Sequence, residues 1–151
     1  MKETNWKNPA YPEADKTIAI DFDGVIHYNN KGFHDGTCYG DVFHGAKESL
    51  KMLKGMGFKL VVYSAKARSD RPLVNNKTGK ELIQSWLQEN GLSEYIDGVE
   101  SEKPSAFVYV DDKAFNFGPG GWRSFMRWVT DHVTGKKRKY KGHKRESYRN
   151  K

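Results

Sequence analysis

Two aspartates stand one residue apart near the start of the chain, in the stretch TIAIDFDGVIHYNN, residues 17–30. Asp21 and Asp23 end an apolar run that is short enough for a buried strand, and Gly24 follows them directly. In extended geometry, residues i and i+2 point the same way, and a glycine lets the chain turn without a side chain obstructing a ligand. Carboxylates placed in this way can hold a hard cation and can move protons.

Polar residues also end two further apolar runs. FKLVVYSA places Ser64 at its end, and SAFVYVDD ends in Asp111 and Asp112. In a parallel sheet, ligands bind outside the carboxyl ends of the strands, so these side chains are predicted to converge at one edge. Gathered carboxylates repel one another unless a cation or protons intervene, and Mg²⁺ prefers oxygen ligands. The sequence therefore predicts a magnesium site, with Lys103 nearby as a positive charge.

Segments of helical period separate these runs, and YIDGV near residue 97 is a weaker strand candidate. One helix is predicted from Ala46, with Gly55 or Gly57 available as its C-terminal stop, and another begins at Thr78, which with Glu81 can form a capping box. A last helix after GPGG carries an apolar stripe that is interpreted as core packing: Trp122, Phe125, Met126, Val129 and Val133. Strands alternating with helices predict an α/β fold: a three-layer, Rossmann-like arrangement with a mostly parallel sheet and helices on both faces.

Composition limits the class of protein. The chain has 151 residues, of which 36% are hydrophobic, and this predicts a single domain over residues 17–133 after a polar extension, residues 1–16. No apolar stretch approaches the roughly 18–20 residues of a membrane span, and residues 1–16 lack the apolar region of a signal peptide. The single Cys38 cannot form an intramolecular disulfide. A cytoplasmic protein without membrane contact is predicted.

The net charge of +7 is concentrated at the end of the chain. Residues 134–151 hold nine Lys or Arg against one Glu, a net charge of +8, so the preceding residues sum to −1. Such a segment cannot bury enough apolar surface to offset ordering and is predicted to be flexible. It is either an arm that binds DNA or RNA phosphates or a solvated tail that aids solubility.

The order of these motifs resembles that of the haloacid dehalogenase superfamily of phosphohydrolases. DFDGV is similar to its first motif, VVYSA to the second, Lys103 to the third and VYVDD to the fourth, over residues 17 to about 117. KPSAFVYVDDKAFNF resembles the K-P-x-A-x-x-Y-(I/V)-D-D segment of small, capless members. A lone D-x-D-G is weak evidence, because metal-binding loops and nucleotide-sugar transferases use similar pairs. The presence of all four motifs in the superfamily's order, each at its expected strand end, is strong evidence for the resemblance.

The resemblance implies a Mg²⁺-dependent phosphatase without a separate cap domain. Asp21 would be the nucleophile that forms an aspartyl-phosphate, and Asp23 the general acid and base, for which it needs a raised proton affinity. Ser64 would donate a hydrogen bond to the phosphoryl group, and Lys103 would balance its charge. The metal set implied is Asp21, Asp23 through its backbone carbonyl, Asp111 and Asp112. Which residue of the last pair contacts the ion directly stays open.

Substrate contacts are predicted around the same edge. The candidates are His27, Ala65, Lys66 and Arg68. Residues 27–43 form the insertion after the first motif and predict a small flap, so the site should be open to a nucleotide or to the terminal phosphate of a nucleic acid. Aromatic residues of this flap can stack on a base, or can simply stabilise a hairpin.

Other interpretations stay open. The chain can be a nucleic-acid-binding protein that keeps the fold without turnover, or a phosphatase for a small metabolite. Ser64 can merely end a strand, and Lys103 can pair with Glu100 or Glu102. A zinc site in and beside the flap is a further alternative, although its spacing matches no familiar pair: His27, His34, Cys38 and His44.

Overall fold

The computed structural model describes residues 16–118 and 120–136. The chain divides into two compact units, Met1–Asp112 and Lys113–Lys151, here called the first and second units. The boundary lies inside the segment predicted to form one domain. Residues 1–15 of the predicted extension and residues 137–151 of the predicted tail lie outside the described residues.

A four-stranded parallel sheet forms the centre of the first unit. Its strands are β1 (Thr17–Asp21), β2 (Lys59–Tyr63), β3 (Gly98–Glu100) and β4 (Val108–Val110). They lie in the order β3-β2-β1-β4, and every neighbouring pair is parallel. The prediction of an α/β fold with a parallel sheet is confirmed, and the weak candidate near residue 97 is a strand.

The strand order reverses next to β1. From β1 the chain moves to β2 and then to β3 on one side, whereas β4 returns to the other side of β1. Crevices at such reversals, outside the carboxyl ends of the strands, are the usual ligand sites of open parallel sheets. Asp21 ends β1, and Asp111 and Asp112 follow β4, so the fold brings these residues to the reversal.

The core lies between the sheet and two helices, α1 (Ala46–Gly55) and α2 (Gly79–Glu89). Alternate strand residues meet apolar side chains of both helices, because successive strand side chains point to opposite faces. The cluster includes Ile18, Ile20, Phe22, Leu60, Val62, Val99, Leu50, Ile83, Trp86 and Leu87. This packing fixes β1 and β2, and therefore the positions at which both strands end.

The beginning of α2 is set by its capping box, as predicted. The Glu81 N–H donates to Thr78 Oγ1 at 3.1 Å, and the Glu81 carboxylate accepts from the Thr78 backbone N–H at 3.5 Å. Gly79, the first helical residue, packs so tightly on the Lys66 carbonyl that a Cβ there would overlap it. The helix is thus locked against the turn that follows β2.

The second unit contains helix α3 (Gly121–Val133). Its aromatic rings contact one another: Trp122 lies 5.8 Å from Phe125, and Phe115 lies 5.4 Å from Phe125, between ring centroids. The predicted stripe is present, but no residue of α3 is buried, so its interpretation as core packing is wrong. The physical reason is that the aromatic residues of this unit pack on one another along the helix surface, which leaves each of them partly exposed.

In the described part of the chain, no helix is both long and apolar enough to cross a lipid bilayer.

Replacing Ile83 by alanine should lower the free energy of unfolding by about 2–5 kcal/mol, because Ile83 is fully buried and the change leaves a cavity. Met52→Ala on α1 is the control, since Met52 is 63% exposed, and it should change stability by less than about 0.5 kcal/mol. Urea unfolding measures both. Equal losses would contradict the core described above.

Candidate active site

Three carboxylates converge where the strand order reverses. Asp21, Asp111 and Asp112 each place one ligand atom within 4.8 Å of the others, and all three are partly buried. Because β1 and β4 are hydrogen-bonded neighbours, their ends lie side by side. Three of the four residues predicted to hold a metal are therefore brought together. The side chain of the fourth, Asp23, is not part of this group.

Gly24 makes room for one of these carboxylates. Its φ is +83°, a region that favours glycine, and a Cβ there would lie 2.5 Å from Asp112 Oδ2. The glycine predicted to keep the turn open thus admits the Asp112 side chain.

Burial and the neighbouring charges raise the proton affinity of Asp21. Partial burial, followed by the charges of Asp111 and Asp112, raises the pKa of Asp21 to about 7. A divalent cation between the three groups would remove this repulsion, and a donor set made of carboxylate oxygens suits a hard ion such as Mg²⁺. The three side chains therefore fit a metal of this class.

Asp23 lies in a different environment. Its Oδ1 accepts from His27 Nδ1 at 2.8 Å and from Lys66 Nζ at 3.2 Å. Burial by itself raises the pKa of Asp23, but the His27 hydrogen bond and the Lys66 charge together outweigh it, so the pKa lies below its ordinary value. The raised proton affinity expected for a general acid is not what this environment produces. Two donors on one oxygen stabilise the anion.

His27 is buried and donates a hydrogen bond to Asp23. The Gly40 N–H donates to His27 Nε2 at 2.8 Å, which assigns the ring hydrogen to Nδ1 and makes His27 the donor to Asp23. The ring is fully buried and stacks on Phe22 with centroids 5.0 Å apart. His27 was predicted to contact substrate. The structure instead uses both of its ring nitrogens inside the fold, so its effect on the site passes through Asp23.

The loop over residues 27–43 closes on itself around this histidine. Tyr28 N–H donates to the Asp41 carbonyl at 2.9 Å, and Phe43 N–H donates to the Ile26 carbonyl at 2.7 Å. The Gly40 carbonyl accepts from Trp86 Nε1 at 2.9 Å, which ties the loop to α2. A Cβ on Gly40 would overlap the Tyr28 carbonyl, so the close approach of these two loop segments requires glycine.

Most aromatic residues of this loop serve its own packing. Tyr28 contacts Phe43 with ring centroids 5.8 Å apart, and Tyr39 packs edge-on to His27 at 5.2 Å. Phe33 differs, because it is 54% exposed and carries the Arg71 guanidinium over its ring at 5.3 Å. Of the two interpretations of these aromatics, stabilisation of the loop fits Tyr28, Tyr39 and Phe43.

A short 3₁₀ turn, Ala65–Ala67, follows β2, and Ser64 of the second motif caps its start. Ser64 Oγ accepts from the Lys66 backbone N–H at 3.2 Å, so its hydroxyl hydrogen is available to donate, as the predicted role requires. Ala65 is exposed at the start of the turn. Lys66 is 5% exposed, and its ammonium reaches Asp23 rather than solvent.

Arg68, the last predicted substrate contact, lies further out. Its guanidinium forms two hydrogen bonds with Asp70, at 3.0 and 2.6 Å, and both side chains are exposed. An exposed pair of this kind adds little stability, so a phosphate can compete for the arginine.

Lys103 and Lys66 lie beside different carboxylates, Asp111 and Asp23 respectively. The Lys103 Nζ is 3.8 Å from Asp111 Oδ2, so the acidic partner is Asp111 rather than Glu100 or Glu102. With Asp23, the four carboxylates and two ammonium groups carry a net charge of −2 when all are ionised. A divalent cation would balance this charge.

Sequence reasoning missed Tyr63. Its hydroxyl donates to Asp111 Oδ2 at 2.9 Å, and its ring lies 5.3 Å from Lys103 Nζ. The available signal was its position as the last residue of β2, directly before Ser64. Burial and the hydrogen bond to Asp111 raise the pKa of the phenol, which keeps it a donor.

The alternative zinc set does not assemble. Within the described residues, the carboxylates of Asp21, Asp111 and Asp112 form the group with metal-ligand geometry. Burial raises the pKa of Cys38 to about 11, which disfavours the thiolate that zinc requires.

Comparisons of the chain with protein-family models, with curated proteins and with solved structures find no match.

Gly24→Ala should destabilise the protein more than Gly45→Ala. Gly45 has nearly the same φ, +81°, but nothing lies within 4 Å of its Cβ position, so it reports backbone strain alone, about 1–2 kcal/mol. The Gly24 variant must also displace Asp112. Urea unfolding of both variants measures the difference, and equal losses would show that Asp112 does not occupy this space.

Asp21→Asn should change how stability depends on pH in metal-free buffer. The folded protein retains the Asp21 proton to about pH 7, whereas the ordinary pKa is 3.8, so the free energy of unfolding of the wild type falls as pH rises across this window. Asparagine does not titrate, so this fall in the free energy of unfolding is absent from the variant. Its stability relative to wild type should therefore be greater at about pH 8 than at about pH 4. Urea unfolding in EDTA tests this, and a difference independent of pH would contradict the raised pKa.

Proposed function

We propose that this chain is a Mg²⁺-dependent phosphatase that acts through an aspartyl-phosphate on a nucleotide or on a nucleic-acid terminal phosphate. The observation that carries the proposal is the different placement of two aspartates. Asp21 lies with Asp111 and Asp112 at the strand-order reversal, whereas Asp23 is held by His27 and Lys66. The proposed reaction needs one carboxylate beside the metal as the nucleophile and a second carboxylate, away from the metal, to carry a proton. Asp21 and Asp23 occupy two such environments.

The proposed fold is the three-layer, Rossmann-like arrangement of small, capless haloacid dehalogenases. The parallel sheet with order β3-β2-β1-β4 supports it, together with the position of each motif at a strand end or in the loop that follows it. No large domain interrupts the stretch between Asp23 and α1. The short, closed loop of residues 27–43 occupies that place.

The first half of the reaction forms the covalent intermediate. An oxygen of Asp21 attacks the phosphorus, the bond to the leaving alcohol oxygen breaks, and Asp23 gives that oxygen a proton. When bound by Asp21, Asp111 and Asp112, Mg²⁺ supplies charge neutralisation and lowers the proton affinity of Asp21. Asp21 must be ionised to attack, and because its pKa is about 7 without metal, a bound cation would increase the ionised fraction at neutral pH.

The second half releases phosphate. Asp23 takes a proton from water as the water oxygen attacks phosphorus, and the bond to Asp21 breaks with the electron pair returning to the carboxylate. The lowered pKa of Asp23 suits a carboxylate that starts ionised. To serve as the acid in the first half, it must gain a proton as the negatively charged substrate approaches, since a nearby anion raises a carboxyl pKa.

The remaining residues bind the phosphoryl group. The Ser64 hydroxyl donates to a phosphoryl oxygen, and the ammonium groups of Lys66 and Lys103 balance negative charge. Preorganised donors of this kind act mainly by electrostatic complementarity to the transition state.

The charge distribution supports a nucleotide or nucleic-acid substrate. Residues 113–151 hold 12 Lys or Arg against two Asp or Glu, a net charge of +10, whereas residues 1–112 hold 14 against 17, a net charge of −3. A basic segment attached to an acidic reaction centre can retain a polyanion whose terminal phosphate is being cleaved.

Asp21→Asn should abolish hydrolysis of an aryl phosphate in Mg²⁺, lowering kcat/KM at least about 1,000-fold, because the nucleophile is lost. Asp35→Asn is the matched control, since Asp35 is exposed on the loop and should leave kcat/KM unchanged. EDTA should abolish wild-type activity.

Two results would count against this function. Activity that persists in Asp21→Asn would exclude this nucleophile. If the wild type hydrolyses no aryl phosphate, nucleotide or 3′- or 5′-phosphorylated oligonucleotide, the phosphatase is excluded. The alternative of a non-catalytic nucleic-acid-binding protein is then favoured.

Neutralising the basic segment should weaken oligonucleotide binding. A variant with Lys137→Gln, Arg138→Gln and Lys139→Gln loses three phosphate contacts, so the slope of log affinity against log salt should fall in magnitude by about 2 for single strands. The control removes the same charge from exposed helical positions: Lys47→Gln, Lys51→Gln and Lys80→Gln. Fluorescence anisotropy at several salt concentrations measures both. Identical slopes would favour a small metabolite as substrate.

A further inference from the structure

Tyr63 links two strands that are not neighbours. It is the last residue of β2 and pairs in register with Asp21 on β1. Its hydroxyl nevertheless donates to Asp111, which follows β4 on the far side of β1, at 2.9 Å. The side chain therefore crosses over the end of β1, where Asp21 lies. A serine or threonine would be too short for this span.

The same ring helps to hold Lys103. The Lys103 ammonium lies 5.3 Å from the ring centroids of both Tyr63 and Tyr109, within the range of cation–π attraction, and 3.8 Å from Asp111 Oδ2. The two rings pack edge-on at 6.4 Å. Two tyrosines and a carboxylate thus contact an ammonium group on a long, flexible side chain.

Tyr109 secures the segment that carries the lysine. Its hydroxyl donates to the Pro104 carbonyl at 2.7 Å, directly after Lys103. The Lys103 side chain is 51% exposed, so burial does not fix it. An exposed lysine otherwise retains most of its rotamer freedom, and these contacts are what restrict it.

Tyr63 is also suited to this place by its charge. The site already gathers several carboxylates, and a neutral phenol donates a hydrogen bond there without adding a charge that would change the balance. Tyr63 is 7% exposed, so packing holds the side chain, and with it the hydroxyl, in position.

We infer that Tyr63 is a positioning residue that orients the Asp111 carboxylate for the metal with its hydroxyl and the Lys103 ammonium for the phosphoryl group with its ring. The inference rests on the proposed function for the identity of both ligands. It predicts that the two roles can be separated, because the hydroxyl and the ring can be removed one at a time.

Two substitutions separate them. Tyr63→Phe keeps the ring below Lys103 and removes the hydrogen bond to Asp111, whereas Tyr63→Leu removes both. Partners that orient metal ligands typically contribute 10–100-fold to metal affinity or activity, so Tyr63→Phe should weaken Mn²⁺ binding about tenfold while KM for an aryl phosphate changes little. Tyr63→Leu should weaken Mn²⁺ binding to the same extent and also raise KM severalfold.

The control removes a different phenol hydroxyl. Tyr28 lies in the loop of residues 27–43, and Tyr28→Phe should keep wild-type Mn²⁺ affinity and KM. Urea unfolding of each variant shows whether it remains folded. Isothermal titration calorimetry with Mn²⁺ gives the metal affinity without requiring turnover, and steady-state kinetics gives kcat and KM.

The outcomes separate this inference from the proposed function. Wild-type Mn²⁺ affinity in a folded Tyr63→Phe variant, an equal loss in Tyr28→Phe, or no Mn²⁺ binding by the wild type would overturn the role of Tyr63. A wild type that binds Mn²⁺ but hydrolyses no phosphate would overturn the proposed phosphatase, and the contrast between Tyr63→Phe and Tyr28→Phe in Mn²⁺ affinity would still decide the hydroxyl's role.

Discussion

Repulsion between neighbouring carboxylates is the constraint around which this site is built. One ligand atom of each of Asp21, Asp111 and Asp112 lies within 4.8 Å of the others, and partial burial together with the two neighbouring charges raises the pKa of Asp21. Folding tolerates this arrangement because β1 and β4 are held in register by a sheet whose core is packed elsewhere. The fold thus holds like charges together that would separate in a flexible chain, and this prepares a position for positive charge.

Two aspartates one residue apart acquire opposite properties from their surroundings. Asp21 is partly buried beside other anions and its pKa is raised, whereas Asp23 accepts from His27 and lies beside Lys66, and its pKa is lowered. The second environment is assembled from three separate parts of the chain: the turn after β2, the loop of residues 27–43, and Trp86 on α2, which holds Gly40. Pairs of titratable groups whose environments push their pKa values apart are characteristic of acid–base sites.

Local patterns in the sequence predicted the scaffold well. Apolar runs with polar ends located the strands, and Thr78 with Glu81 located the start of α2, because each signal lies within a few residues of its effect. What the sequence could not reveal depends on distant partners. His27 is buried because Gly40, 13 residues away, and Phe22 and Trp86 enclose it. Tyr63 meets Asp111 across 48 residues. The stripe on α3 is readable as an apolar face, but periodicity does not say what covers that face.

The two aspartates that follow β4 depend on a short attachment at one edge of the sheet. β4 pairs with β1 through three residues at the sheet edge, whereas β1 and β2 pair through five. Edge strands with few ladder bonds open more readily than central ones. An ion held by Asp21, Asp111 and Asp112 would stabilise the pairing of β4 with β1. Metal binding would therefore suppress opening of β4, and opening of β4 would weaken metal binding.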